Sequence, residues 1–162
     1  MSIISGLPAH ILLLHFVVVL VPLTAILLIV CALWPAARTR LVWLVAILAG
    51  ITLIVTPLTV NAGEWFGTWQ VEHGGETPEL DTHMNAGEAG IWMALALAAA
   101  AALLTGLHVL LSRGRTIASV VYWTVVAVVI ISAGWSMYEI YRIGDSGARA
   151  AWGSALTPSA SQ

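Results

Sequence analysis

The sequence predicts an all-α fold, an integral membrane four-helix bundle with both termini on the outer side. Three observations predict it. Hydrophobic residues make up 60% of the 162-residue chain and charged residues only 9%, where a soluble domain has roughly 45–50% and about 25%. Four continuous apolar runs each approach or exceed the ~20 residues that cross a hydrocarbon core of ~30 Å. Arginine is confined to the breaks between alternate runs and to the segment after the last one. The same composition excludes a disordered chain and a nucleic-acid binder, because six arginines and no lysine cannot form a phosphate-tracking surface. A single cysteine, Cys31, excludes an internal disulfide framework or a CxxC metal site.

The first run, residues 7–34, is the longest and must tilt or project beyond the core. It is too long for the apolar region of a signal peptide, and no positive residue precedes it. Pro8 suits its first turn, where a missing N–H costs nothing. Trp34-Pro35 ends it, since the residue before proline is pushed out of the α region. The second run covers residues 41–60, followed by a long polar loop over 61–85. The third covers 86–111, and Ser112-Arg113-Gly114-Arg115 makes a tight turn into the fourth, 117–140. Pro22 and Pro57 fall inside runs, where membrane helices tolerate proline if neighbours satisfy the freed carbonyls. Residues 1–143 thus form the four-span domain. Residues 144–162, rich in Gly, Ala and Ser, read as a mobile outer tail touching the interface through Trp152.

Orientation follows from Arg38, Arg40, Arg113 and Arg115, which occupy the two short turns, while the 61–85 loop has neither arginine nor lysine. The positive-inside rule puts those turns in the cytoplasm, as expected for a multi-pass membrane protein. Aromatic residues mark both boundaries: Trp34, Trp43, Tyr122 and Trp123 on the inner side, Trp65, Trp69, Trp92, Trp135, Tyr138 and Tyr141 on the outer. Small residues mark packing faces, with Ala94, Ala96 and residues 98–102 on the third run and Ala127, Ser132, Ala133 and Gly134 on the fourth. The partners implied are the lipid bilayer, a larger respiratory or redox membrane complex, or further copies of the chain.

The candidate chemistry lies at the outer ends. His10 and His83 occupy the outer mouths of two helices that run in the same direction. Five residues on, and about 7.5 Å deeper at 1.5 Å per residue, come His15 and Glu88. The two ladders resemble a weak two-fold repeat of a helix pair. Glu64 ends the second run on the same side, and Glu139 lies more peripherally on the fourth. Ionisable groups at membrane depth are costly and point to function. Imidazole with carboxylate could hold a single transition metal (iron, copper or zinc) through His10, His15, Glu64, His83 and Glu88. Imidazoles from facing helices could instead hold haem b axially, through His83 with His10 or His15. Spacing by five puts His10 and His15 about 140° apart around a helix, so they do not point the same way. Trp65, Phe66 and Trp69 offer an apolar cover for a flat cofactor. His108 lacks a carboxylate partner, Cys31 reads as apolar bulk, and His73 stands in a solvated acidic loop with Glu72, Glu76, Glu79 and Asp81. No GxSxG, HExxH or phosphate-binding glycine loop is present.

Gly6-Leu7-Pro8-Ala9-His10, His15-Phe16, Pro22-Leu23, Ala62-Gly63-Glu64-Trp65 and His83 after an acidic stretch resemble a family of small bacterial four-span membrane proteins of unassigned activity. The likeness covers residues 6–111 and carries His10, His15, Glu64 and His83. Fusion of some family members to Rieske-type iron–sulfur domains implies electron transfer. The expected function is therefore haem or metal binding in electron transfer, and the alternative is an accessory or assembly subunit without chemistry of its own.

Overall fold

The computed structural model describes residues 3–4, 7–74 and 76–156. Four helices follow one another: α1 Ala9–Leu33, α2 Pro35–Gly74, α3 Pro78–Ser112 and α4 Ser119–Leu156. Each is long and apolar enough to cross a membrane. Before them, Ile3–Ile4 (β1) and Leu7–Pro8 (β2) pair antiparallel, with Ile3 opposite Pro8. Pro8 therefore precedes α1 rather than standing in its first turn.

Each helix packs on its neighbours in the chain, and α4 closes the ring against α1. This is an up-down-up-down bundle whose connections are short. Trp34 alone separates α1 from α2: Pro35 cannot continue α1 but starts α2 with a suitable φ and no N–H to satisfy. Between α3 and α4, Gly114 adopts φ 73°, a left-handed conformation that favours glycine.

α2, α3 and α4 are longer than their apolar runs. At 1.5 Å per residue the 40-residue α2 is about 60 Å long, twice a hydrocarbon core. The stretch read as a 61–85 loop is mostly helix. α2 runs on to Gly74, and α3 restarts at Pro78 behind the N-cap Thr77, whose hydroxyl accepts the Leu80 N–H at 3.2 Å. Pro78 at the first helical position, with Glu79 and Asp81 in the first turn, completes a helix start. Polarity separates what leaves the membrane from what crosses it. It does not stop a helix whose capping residues lie further along. α4 likewise carries through residues 144–156 of the tail, because Ser146 and Gly147 pack on His83. Residues 157–162 lie outside the described residues.

The core concentrates toward the short-turn end. Leu28, Met93, Leu97, Leu104 and Val129 are fully buried, interleaved with Ala25, Ala49, Ala100 and Ala133. The small-residue faces are used selectively. Ala94, Ala100, Ala101 and Ala133 are buried, but Ala99, Ala102, Ala127 and Gly134 face outward, since a 3.6-residue period cannot turn a continuous run to one side. Phe16, Val19, Ile26, Ile47, Ile54, Leu103, Val120 and Ile131 point away from the bundle, an apolar exterior suited to lipid rather than water.

Candidate functional site

At the end opposite the short turns the four helices part around a cavity of about 600 Å³, within the range of sites that hold small molecules and cofactors. Its walls are apolar (Val17, Met93, Ile140, Ile143) and unusually poor in side chains, with Gly63 and Gly67 from α2, Gly87 and Gly90 from α3, and Gly144 and Gly147 from α4. A Cβ added at Gly87 or Gly144 would meet nothing within 4 Å. His10, Phe66, Trp69 and His83 also line the space, and at its inner wall the hydroxyl of Thr56 is buried without a hydrogen-bond partner.

His10 of α1 and His83 of α3 meet here. Their ring centroids lie 6.3 Å apart, with planes inclined at 69°. Each ring is seated on a glycine of the next helix. A Cβ at Gly63 would stand 2.8 Å from His10 Cε1, and one at Gly147 would stand 3.0 Å from His83 Cε1. Both rings are also tethered through Nδ1, His10 to the Thr59 carbonyl at 3.0 Å and His83 to Ser146 Oγ at 3.0 Å.

These tethers determine the tautomers. A carbonyl can only accept, so His10 Nδ1 carries a proton and donates it to Thr59. Ser146 directs its own hydroxyl proton to the Ile143 carbonyl at 2.9 Å, so its oxygen is left to accept from His83 Nδ1–H. In neutral imidazole the second nitrogen is then a lone-pair acceptor. Both Nε2 atoms are thereby left as lone-pair acceptors in rings whose Nδ1–H is already bonded.

The other sequence candidates go elsewhere. His15 is exposed on the outside of α1, its Nδ1 bonded to the Ile11 carbonyl of its own helix at 2.6 Å. Glu88 is exposed on α3. Glu64 lines the cavity but its side chain is exposed. Glu139 is buried against α4's own Arg142, 3.3 Å away, and does not line the cavity. Among the described residues no three of His, Cys, Asp and Glu cluster as metal ligands. Of the aromatic cover, Phe66 stacks near His10 (6.5 Å, 24°) and Trp69 stacks on Phe66 (6.1 Å, 6°), with His73 beyond it at 4.5 Å. Trp65 is exposed and takes no part in the lining. His108 lies near the other end of α3.

Thr59, Ser146 and Gly147 escaped the sequence reading, and Gly63 entered it only within the stretch quoted for the family resemblance. The one available trace was the recurrence of glycine at helical spacing, Gly63-x3-Gly67 and Gly144-x2-Gly147, which by itself reads as helix packing. No family model, curated protein or solved structure matches the chain, so the family resemblance rests on the residues quoted for it.

Proposed function

We propose that the cavity binds a b-type haem through His10 and His83 and that the protein transfers electrons. The observation that carries the reading is the pair of tethered imidazoles, 6.3 Å apart across a glycine-walled space. One imidazole from each helix hairpin, His10 and His83, would hold the haem, and both rings line the same cavity. The donor set favours haem over a bare ion. A structural or catalytic metal needs three or four protein ligands, and here only two imidazoles converge. A porphyrin brings its remaining ligands with it.

Haem would supply one-electron chemistry at its iron. The residues supply what the iron needs around it. Thr59 and Ser146 fix the rings and raise their basicity. Met93, Ile140 and Ile143 keep water from the inner wall. His10 and His83 would hold the haem between them, and the chemistry it would supply there is one-electron transfer. If the arginine-bearing turns face the cytoplasm, the site serves the outer face of a bacterial inner membrane, beside a membrane-bound or soluble redox partner.

The absorption spectrum of protein expressed with ample haem and purified in mild detergent tests this. A Soret band present at one haem per chain, lost in His10→Ala and His83→Ala and kept in His15→Ala and His108→Ala, is the expected result. Stoichiometric metal without a Soret band would replace haem by a non-haem site. A colourless, metal-free protein that co-purifies with other subunits would leave the assembly role instead.

A further inference from the structure

Arg38 stands in the first turn of α2, at the short-turn end, and is only 5% exposed. Its guanidinium lies 5.4 Å from the centroid of the Tyr122 ring on α4, and Nη1 donates to the Tyr122 hydroxyl at 3.3 Å. Both contacts are with a neutral group. Among the described residues no Asp or Glu carboxylate pairs with it. The carboxylate nearest to Tyr122 along α4 is Glu139, 17 residues on, or about 25 Å at 1.5 Å per residue. Among the described residues the ion pairs are Arg142–Glu139 and Arg149–Asp145, both toward the far end. Helix polarity makes the deficit worse. Arg38 and Tyr122 stand in the first turns of α2 and α4, so two positive helix ends meet at the buried cation. The carbonyl ends of α1 and α3 offer only partial charge in return. A desolvated guanidinium without a counterion is strongly unfavourable.

We propose that Arg38 is the centre of a binding site for the phosphate group of an anionic phospholipid. Tyr122 takes one of the five guanidinium N–H donors, which leaves a fork that matches phosphate oxygens. Among the described residues the buried side-chain polar atoms without a hydrogen-bond partner are Thr56 Oγ1, Thr105 Oγ1 and Glu139 Oε2, the last of which faces Arg142 in an ion pair. No nitrogen of Arg38 is one of them, and the residue keeps 5% of its surface exposed for a phosphate oxygen to meet. The surroundings favour a lipid over free phosphate. Trp34, Trp43 and Trp123 are exposed at the same end, as aromatic residues are at headgroup depth, and Val120 and Val121 expose apolar surface there for acyl chains to cover. Arg40, Arg113 and Arg115, also exposed at this end, add attraction that falls off with distance and salt.

The test is native mass spectrometry and thermal unfolding of the full chain in neutral detergent. Phosphatidylglycerol, phosphatidylcholine or inorganic phosphate is added in separate arms. The expected result is one retained phosphatidylglycerol per chain, a preference over phosphatidylcholine of roughly fivefold or more, and a raised Tm with phosphatidylglycerol only. Arg38→Gln should lose the preference, Arg38→Lys should keep part of it, and Arg115→Gln should keep it nearly whole. Equal binding of the two lipids by the unmodified protein overturns the proposal even if Arg38→Gln does not fold. A stabilisation by inorganic phosphate equal to that by phosphatidylglycerol overturns the lipid assignment. Retention of the preference in Arg38→Gln overturns the role of Arg38.

Discussion

Gly63→Ala isolates the close approach that seats His10. An added Cβ would stand 2.8 Å from both Cε1 and Nδ1 of the ring, whereas non-bonded carbon contacts settle at about 3.5–4.0 Å. The ring must therefore retreat by roughly 0.7–1.2 Å. Thr59 lies one helical turn from Gly63 on the same helix, so a retreat from Gly63 also pulls Nδ1 off the Thr59 carbonyl, now at 3.0 Å. Overpacking costs about 1–3 kcal/mol and the lost hydrogen bond about 0.5–1.5 kcal/mol. The better helix propensity of alanine returns about 1 kcal/mol. The net loss expected is about 0.5–3.5 kcal/mol. Gly50→Ala is the control on the same helix, because a Cβ there meets nothing within 4 Å and only the propensity gain of up to about 1 kcal/mol remains. For a chain of this size each kcal/mol moves Tm by roughly 2–4 °C. Thermal unfolding in one detergent should thus place Gly63→Ala at least roughly 3 °C below Gly50→Ala. A Gly63→Ala protein that melts with or above Gly50→Ala would refute the steric argument whatever the cavity binds.

Ser146→Ala removes the acceptor for His83 Nδ1–H. It should cost about 0.5–1.5 kcal/mol of stability and weaken haem binding roughly 10–100-fold, and a haem titration unchanged from the parent would deny Ser146 that role. Thr56→Val deletes a buried hydroxyl that has no partner. The haem-free protein should melt at the same temperature or higher, by up to about 1–3 kcal/mol equivalent, and a clear loss of stability would show that the hydroxyl is bonded after all. For orientation, Glu76→Cys and Ser112→Cys place thiols at exposed positions while Cys31 stays fully buried. An impermeant maleimide on intact cells should label position 76 only, and labelling of 112 alone would invert the topology.

The four helices were legible because a hydrocarbon solvent leaves the chain little choice. A run that long and that apolar has to satisfy its backbone internally. Helix ends were legible only where chemistry marks them. Trp34-Pro35 and the Gly114 turn announce themselves, but nothing in the acidic stretch shows that α2 persists to Gly74 until Thr77-Pro78 is recognised as the next start. The site was half legible. Equal offsets on parallel helices put His10 and His83 at one depth, and the structure brings their ring centroids within 6.3 Å of each other. The same arithmetic gave His15 and Glu88 a shared depth but no direction, and both face outward. Direction depends on which side of each helix the bundle covers, and these helices are apolar all round. A hydrophobic stripe, the usual pointer to the interior, is absent from a protein whose solvent is itself apolar.

The two hairpins solve one problem twice. In α1–α2 the histidine near the start of the first helix rests on Gly63 and is tethered at Thr59. In α3–α4 the equivalent histidine rests on Gly147 and is tethered at Ser146. His15 and Glu88, the second rungs of both ladders, turn outward in both. A repeat of this kind brings one imidazole from each half to the seam between the halves, which is what a ligand held from two sides requires. It also separates the tasks of the two ends. Toward the short turns, Leu28, Leu97, Leu104 and Val129 are packed without exposure, so the bundle does not depend on the cavity end for its core. The cavity end can therefore be walled with glycine, giving up contacts that would have stabilised the fold in return for space around two tethered imidazoles. Haem binding would restore part of what the open end gives up. The stability of the cavity end should then rise with cofactor occupancy, while hydrogen exchange in the short-turn half stays unchanged. Equal protection of both halves on haem binding would show that the two ends are not energetically separate.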